Sequence, residues 1–286
     1  MWLGYNTNGF AHHRLEDALI ILADLGYEGV AITLDYQALN PFADDLAHQI
    51  VAIRRLLERL KLQCVVETGA RFLLDPWRKH QPTLLDPDPS ARERRRDFLR
   101  RAIRISQEIA SPVVSLWSGT AASAEPDSVL LGRLAEECLR LADEAAAAGI
   151  RLAFEPEPGM FIATLEDFAR LERLVRHPAF GLTADIGHLH CQGEVPIPQR
   201  LRAWQRILWH VHLEDMRRGQ HEHLMFGEGE IDFPPILSTL REIGYPGGVC
   251  VELSRHSHDA VNAARKAIAF LRAGSGRSEP PSQADN

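Results

Sequence analysis

Short runs of apolar and β-branched residues alternate along this chain with longer stretches whose apolar positions recur every three or four residues. LGYNT reads as a first strand, followed by a helix from about Arg14 to Leu25 that stops at Gly26. GVAITL is a second strand. Its helix spans about Ala43 to Leu60, with Ile50, Ile53, Leu56, Leu57 and Leu60 on one face. QCVVET is a third, and the helix after it is expected to begin near Ser90 as N-cap. PVVSLW leads into a helix over Ser128 to Ala148, closed by Gly149. RLAFE is followed by TLEDFARLERLVR, entered at Thr164 as N-cap. FGLTAD and ILWHVHLED supply the sixth and seventh strands. FPPILSTLREIG is a helix with prolines in its first turn, GGVCVEL an eighth strand, and Ala260 to Leu271 a last helix.

Eight strand–helix units in succession imply a parallel sheet. An open doubly wound sheet usually carries a glycine-rich phosphate loop after its first strand, and here that place holds NTNGFAHH. The pattern therefore predicts an α/β fold of TIM barrel type, one (β/α)8 barrel over residues 1–273 with a disordered Gly/Ser/Pro-rich tail at 274–286. One connection, residues 69–90, is long enough to suggest a role over an active site.

Composition changes this picture little: 45% hydrophobic and 25% charged residues are ordinary for a globular protein. A formal net charge of −7 argues against non-specific binding to nucleic acid. Cys64, Cys138, Cys191 and Cys250 form no C-x-x-C pair, which suits a reducing compartment. MWLGYNTNGFAHH has no signal-peptide pattern and no apolar run approaches a membrane span, so a cytoplasmic protein without membrane contact is expected.

Functional groups of a parallel barrel sit at the C-terminal ends of its strands. Glu155 ends RLAFE, Asp185 ends FGLTAD, His212 lies in HVHLED and Glu252 lies near the end of GGVCVEL. Singly, each such carboxylate could be a helix cap or an ion-pair partner. Four from consecutive strands, each behind an apolar run, point to a divalent metal, because burying them without a cation is costly. One imidazole and three carboxylates suit Mn2+, Mg2+ or Co2+, with Zn2+ also within range. Nearby, His188, His221 and His223 either donate to a substrate, hold another metal, or decorate a loop. His210 shares a strand face with His212 and is a candidate for supporting it. Glu157 could orient a sugar hydroxyl or cap a helix, and Arg217 or Arg218 could hold an oxyanion or remain solvated. Arg71, Trp77 and Trp117 are candidates for the mouth. Trp204 and Trp209 are candidates for a surface packed between copies in a homo-oligomer. The remaining histidines, His80 among them, receive no role and are read as mostly solvated.

The set FEPEPG, D-x-G-H, H-x-H-L-E-D, GEGEIDF and a terminal VEL resembles the xylose isomerase-like barrels, which include sugar isomerases and epimerases, inosose dehydratases and endonuclease IV. The resemblance implies that Glu155, Asp185, His212 and Glu252 hold the metal. It also implies that Glu155 and Glu252 form an acid–base pair moving a proton beside the carbonyl of a ketose or keto-cyclitol through a metal-stabilised enediolate. An inosose-type dehydratase would use the same site. His188 and Arg218 match substrate-contacting positions of the epimerases, and His223 matches a ligand of a further endonuclease IV metal. VVETGAR and VVSLWSGTA lack the histidines that endonuclease IV carries there, and EPEPGMF departs from the epimerase pattern.

Overall fold

The computed structural model describes residues 1–121 and 124–275. Among the described residues, eight parallel strands close into a barrel. They are β1 (Trp2–Asn6), β2 (Gly29–Thr33), β3 (Gln63–Glu67), β4 (Val113–Trp117), β5 (Arg151–Glu155), β6 (Phe180–Asp185), β7 (Leu208–Leu213) and β10 (Gly248–Val251), with β10 closing against β1. The expected (β/α)8 barrel is the fold observed.

Helices α1 (Leu15–Asp24), α2 (Leu46–Leu60), α3 (Pro89–Glu108), α4 (Asp127–Ala147), α5 (Leu165–Val175), α8 (Phe233–Glu242) and α9 (Ala260–Ser275) match the periodic stretches. Thr164 caps α5 in a full capping box with Asp167. At α3 the cap is Asp88 rather than Ser90. Its carboxylate accepts the Ser90 N–H, and Pro89 occupies the first helical position, where it loses no hydrogen bond. The last helix reaches Ser275, and the rest of the expected tail lies outside the described residues.

Two further short helices, α6 (Ile186–Cys191) and α7 (Ile197–Trp204), join β6 to β7, and an antiparallel hairpin, β8 (Asp215–Arg217) and β9 (Gln220–Leu224), follows β7. The loop that follows the hairpin is tied down by Asp215. Its buried carboxylate accepts the backbone N–H groups of Met216, Gly227, Gly229 and Ile231 at 2.8–3.1 Å.

The floor of the barrel is filled by Ala31, Val65, Val113, Ala153 and Cys250, with Trp2 and Trp209 packed on them. A register shift between β6 and β7 pairs Leu182 with Leu208 but Thr183 with His210, so Trp209 is an extra residue. A side chain at Gly181 would strike the Trp209 ring. Trp204 packs against Phe168 at 5.2 Å. Both tryptophans named as candidates for a contact between copies pack partly within the chain, Trp209 on the barrel floor and Trp204 of α7 on α5, and each stays partly exposed. Among the described residues no helix is long and apolar enough to cross a membrane.

Candidate metal and substrate centre

The parallel register brings four ligand-type side chains together at one end of the barrel. Asp185 pairs across the sheet with His212, and His212 with Cys250, two residues before Glu252. One donor atom from each of Glu155, Asp185, His212 and Glu252 lies within 4.8 Å of the others. His212 Nδ1 stands 3.2 Å from Glu155 Oε1, 3.0 Å from Glu252 Oε2 and 3.6 Å from Asp185 Oδ2. Burial alone would make this imidazole harder to protonate. Glu155, Glu252 and Glu67 outweigh that and raise its pKa well above the usual histidine value. The surrounding carboxylates thus favour positive charge at this point, as a cation site requires.

Asp185 has two tasks. Oδ1 accepts the His188 N–H at 2.7 Å and so caps α6, while Oδ2 is buried without a hydrogen bond. An orphaned carboxylate oxygen among three other donors fits a divalent cation, which would satisfy it. Burial opposes ionisation of Asp185, but the facing imidazoles of His188 and His212 hold it well below the ordinary aspartate range. Glu155 behaves oppositely, since burial, with Glu252 and Asp185 nearby, raises its pKa well above normal.

The turn of α6 places His188 beside this set, its Nδ1 3.4 Å from Glu155 Oε1. His221 Nε2 approaches His188 Nε2 at 3.0 Å, and His223 belongs to the same trio of closely spaced imidazoles. Burial pushes His188 down to about 3, leaving it neutral and able to donate or ligate. Glu214 lies under this trio. It is wholly buried, neither of its oxygens has a hydrogen bond, and its Oε2 is 4.0 Å from His223 Nδ1. Burial and the Asp185 carboxylate raise its pKa well above normal. Gly187 makes room for it, since a Cβ there would collide with Glu214 Oε1.

Glu155, Glu252, His188, His212, His221 and His223 line a cavity of about 520 Å3, large enough for a small-molecule substrate, while Asp185 and Glu214 lie behind it. Glu157 reaches it, and burial, then Glu252 and Asp185, push it up to about 8. Arg71 and Trp117 line it as expected, together with Lys79 and His80 from the long 69–90 connection. Trp77 does not: it is 90% exposed. Arg218 is also placed elsewhere. It sits exposed on the β8–β9 turn with its guanidinium over Gly193, because the hairpin turns it away from the mouth.

Glu67 and His80 are among the lining residues passed over in the sequence. Glu67 ends β3 behind the apolar run QCVV, the same signal that marked Glu155. Its Oε1 lies 3.0 Å from His212 Nε2 and 3.1 Å from His210 Nε2. Although burial opposes it, these two imidazoles hold Glu67 at about 2. His210 therefore supports the site through Glu67. His80 is half-buried rather than free in solvent: its ring packs edge-on against Trp117 at 5.1 Å, and burial depresses it to about 4. Only the folding of its loop over the barrel reveals this.

The chain is 24% identical over 260 residues to the L-ribulose-5-phosphate 3-epimerase UlaE of Escherichia coli K12, covering 90% of this chain and 88% of that one. It is 32% identical over 137 residues to inosose dehydratase of Lacticaseibacillus casei; that match covers 42% of this chain and less than half, 46%, of the relative. Among solved structures, the IOLI protein with a bound zinc atom superposes with a TM-score of 0.78 at 18% identity, covering 98% of this chain and all of that one. A family model described as xylose isomerase-like TIM barrel matches residues 19–274, and the chain belongs to that family.

Proposed function

We propose that this protein is a metal-dependent isomerase or epimerase that moves a proton beside the carbonyl of a small ketose or keto-cyclitol. The observation carrying this reading is the placement of Glu155 and Glu252 on either side of His212 Nδ1, at 3.2 and 3.0 Å, with Asp185 completing the donor set. A divalent cation held by these four residues supplies positive charge next to a carbonyl oxygen, which acidifies the adjoining carbon–hydrogen bond. The donor set accepts Mn2+, Mg2+ or Co2+, and Zn2+, the ion bound by the IOLI protein, is compatible with it.

Glu155 and Glu252 are the acid–base pair: one removes the proton and the other returns one. Return to the opposite face epimerises the carbon, and return to the neighbouring carbon isomerises the sugar. Asn8 Nδ2 donates to Glu252 Oε1 at 2.7 Å, which steadies the carboxylate with its other oxygen toward His212. Neutral His188 and half-buried His221 and His223 donate to substrate hydroxyls or hold a second ion. Glu157, with its raised proton affinity, is placed to share a proton with a hydroxyl.

Metal analysis of purified protein, followed by wash-in of solvent deuterium beside the carbonyl of ketoses and inososes, tests this reading. Glu155→Gln and Glu252→Gln are expected to abolish exchange with metal still bound. Normal turnover in both variants would refute the assignment. Likeness to inosose dehydratase supports a second reading, in which the same proton removal is followed by loss of a hydroxyl. New ultraviolet absorbance of an unsaturated ketone distinguishes it.

A further inference from the structure

A smaller cavity of about 210 Å3 adjoins the one that holds the candidate centre, and the two share Asn8, Ala11, Thr33 and Arg71 as a common wall. The wall at Trp117 is built differently. Trp117 ends β4 in register with Glu155 at the end of β5, so the indole lines the cavity next to the proposed acid–base residue. Behind it lies Arg95 of α3, which is wholly buried and does not itself line the cavity. Its guanidinium carbon stands 5.0 Å from the centre of the Trp117 ring and 5.2 Å from that of Phe98. Nη2 donates to the Thr68 carbonyl at 3.0 Å, just past the end of β3. Nη1 is buried without a hydrogen bond, and among the described residues no carboxylate pairs with this charge.

A buried cation without an anion is a poor way to stabilise a fold, since an apolar side chain of similar volume often serves as well or better. Burial lowers the Arg95 pKa only to about 10, so the group keeps its charge at neutral pH. A desolvated guanidinium over an indole does attract the ring strongly. His80 meets the same ring edge-on at 5.1 Å, and a side chain at Gly119 would strike both Trp117 and Thr83. The indole is thus held by one charge and by close packing. We propose that Arg95 is a positioning residue: it fixes the Trp117 indole as the surface against which a substrate lies beside Glu155, and so sets how tightly the substrate is held. The inference rests on the proton-transfer reading above for the role of Glu155, but the placement of the indole can be measured without any substrate.

Labelling with 5-fluorotryptophan gives one fluorine resonance for each of the five tryptophans, and Trp117→Phe identifies that of Trp117. Arg95→Met fills a similar volume without the charge. It is expected to broaden or shift the Trp117 resonance and leave those of Trp2, Trp77, Trp204 and Trp209 in place, with a melting temperature equal to or above that of wild type. In Arg95→Lys, which keeps a cation beneath the ring, the Trp117 resonance should stay closer to its wild-type position. With metal-loaded protein, deuterium wash-in into D-allulose and scyllo-inosose should show KM raised about tenfold in Arg95→Met with kcat retained, the factor that one lost aromatic contact supplies. The same substitution in a Trp117→Ala background should have no further effect. An unmoved Trp117 resonance in Arg95→Met overturns the inference. So does a lower melting temperature with all five resonances shifted, which would mark Arg95 as a strut of the fold, and so do additive KM losses in the double variant. If neither compound exchanges with wild type, the proton-transfer reading loses its support, and the fluorine spectra decide the place of Arg95 by themselves.

Discussion

Glu67 Oε1 stands 3.0 Å from His212 Nε2, opposite the nitrogen that faces Glu155, Asp185 and Glu252. A carboxylate there accepts the Nε2 proton, fixes the tautomer and leaves the Nδ1 lone pair for a cation. Glu67→Ala should lower divalent-metal affinity by about 10- to 100-fold, as loss of such a partner typically does. Competition against a chromophoric chelator measures it, and unchanged affinity would remove Glu67 from the site.

Asp215 is a second buried carboxylate whose work is mechanical. Asp215→Ala strands four backbone N–H groups and should cost about 3 kcal/mol or more, given about 1–3 kcal/mol for each buried group left unsatisfied and partial relief by water. Hydrogen exchange at Gly227, Gly229 and Ile231 should accelerate more than exchange in the barrel strands. Uniform acceleration across the molecule would show that the loop is not held locally.

Gly187 can be tested by adding one methyl group. In Gly187→Ala the new carbon meets Glu214 and the Met216 side chain, both buried, and overpacking of this kind costs about 1–3 kcal/mol. The melting temperature should fall and metal affinity with it, because Asp185 caps α6 and His188 lies in its first turn. A stable variant with unaltered metal affinity would show that this turn yields freely.

His80 sets a pH dependence with a definite sign. Burial depresses its folded pKa to about 4, against 6.5 for the unfolded chain. Between those values the unfolded chain takes a proton that the folded protein refuses, so stability falls as pH drops from about 6.5 to about 4. Below that window both states are protonated and His80 adds no further slope; above it both are neutral. His80→Gln should flatten this part of a melting-temperature profile relative to wild type, and identical profiles would contradict the assignment.

The barrel was legible because alternating periods of two kinds leave few alternatives, and strand ends fell within two residues of their expected places. Glu155, Asp185, His212 and Glu252 were legible for a related reason, since a carboxylate or imidazole behind an apolar strand has only the mouth to occupy. Glu67 carried the same mark but has no role unless β3 is known to face β7 across the lumen. QHEHL shows no apolar alternation, so the hairpin that presents His221 and His223 depends on Asp215, a tertiary contact invisible to local pattern. Arg218 illustrates the opposite error: it follows the right motif, but a turn sends its side chain over Gly193.

The closed strand order has a consequence for how such a protein can change. All four members of the proposed metal set come from β5, β6, β7 and the end of β10, whereas the wall shared by the two chambers comes from the turns after β1, β2 and β3. The proposed metal donors thus lie in the second half of the chain, and the wall shared by the two cavities in its first quarter. Variation at Tyr36, Gln37 and Ala38 can reshape the mouth beside the site while Asn8 and Glu67, which hold Glu252 and His212 from the same part of the chain, stay in place. Libraries aimed at altered specificity belong there.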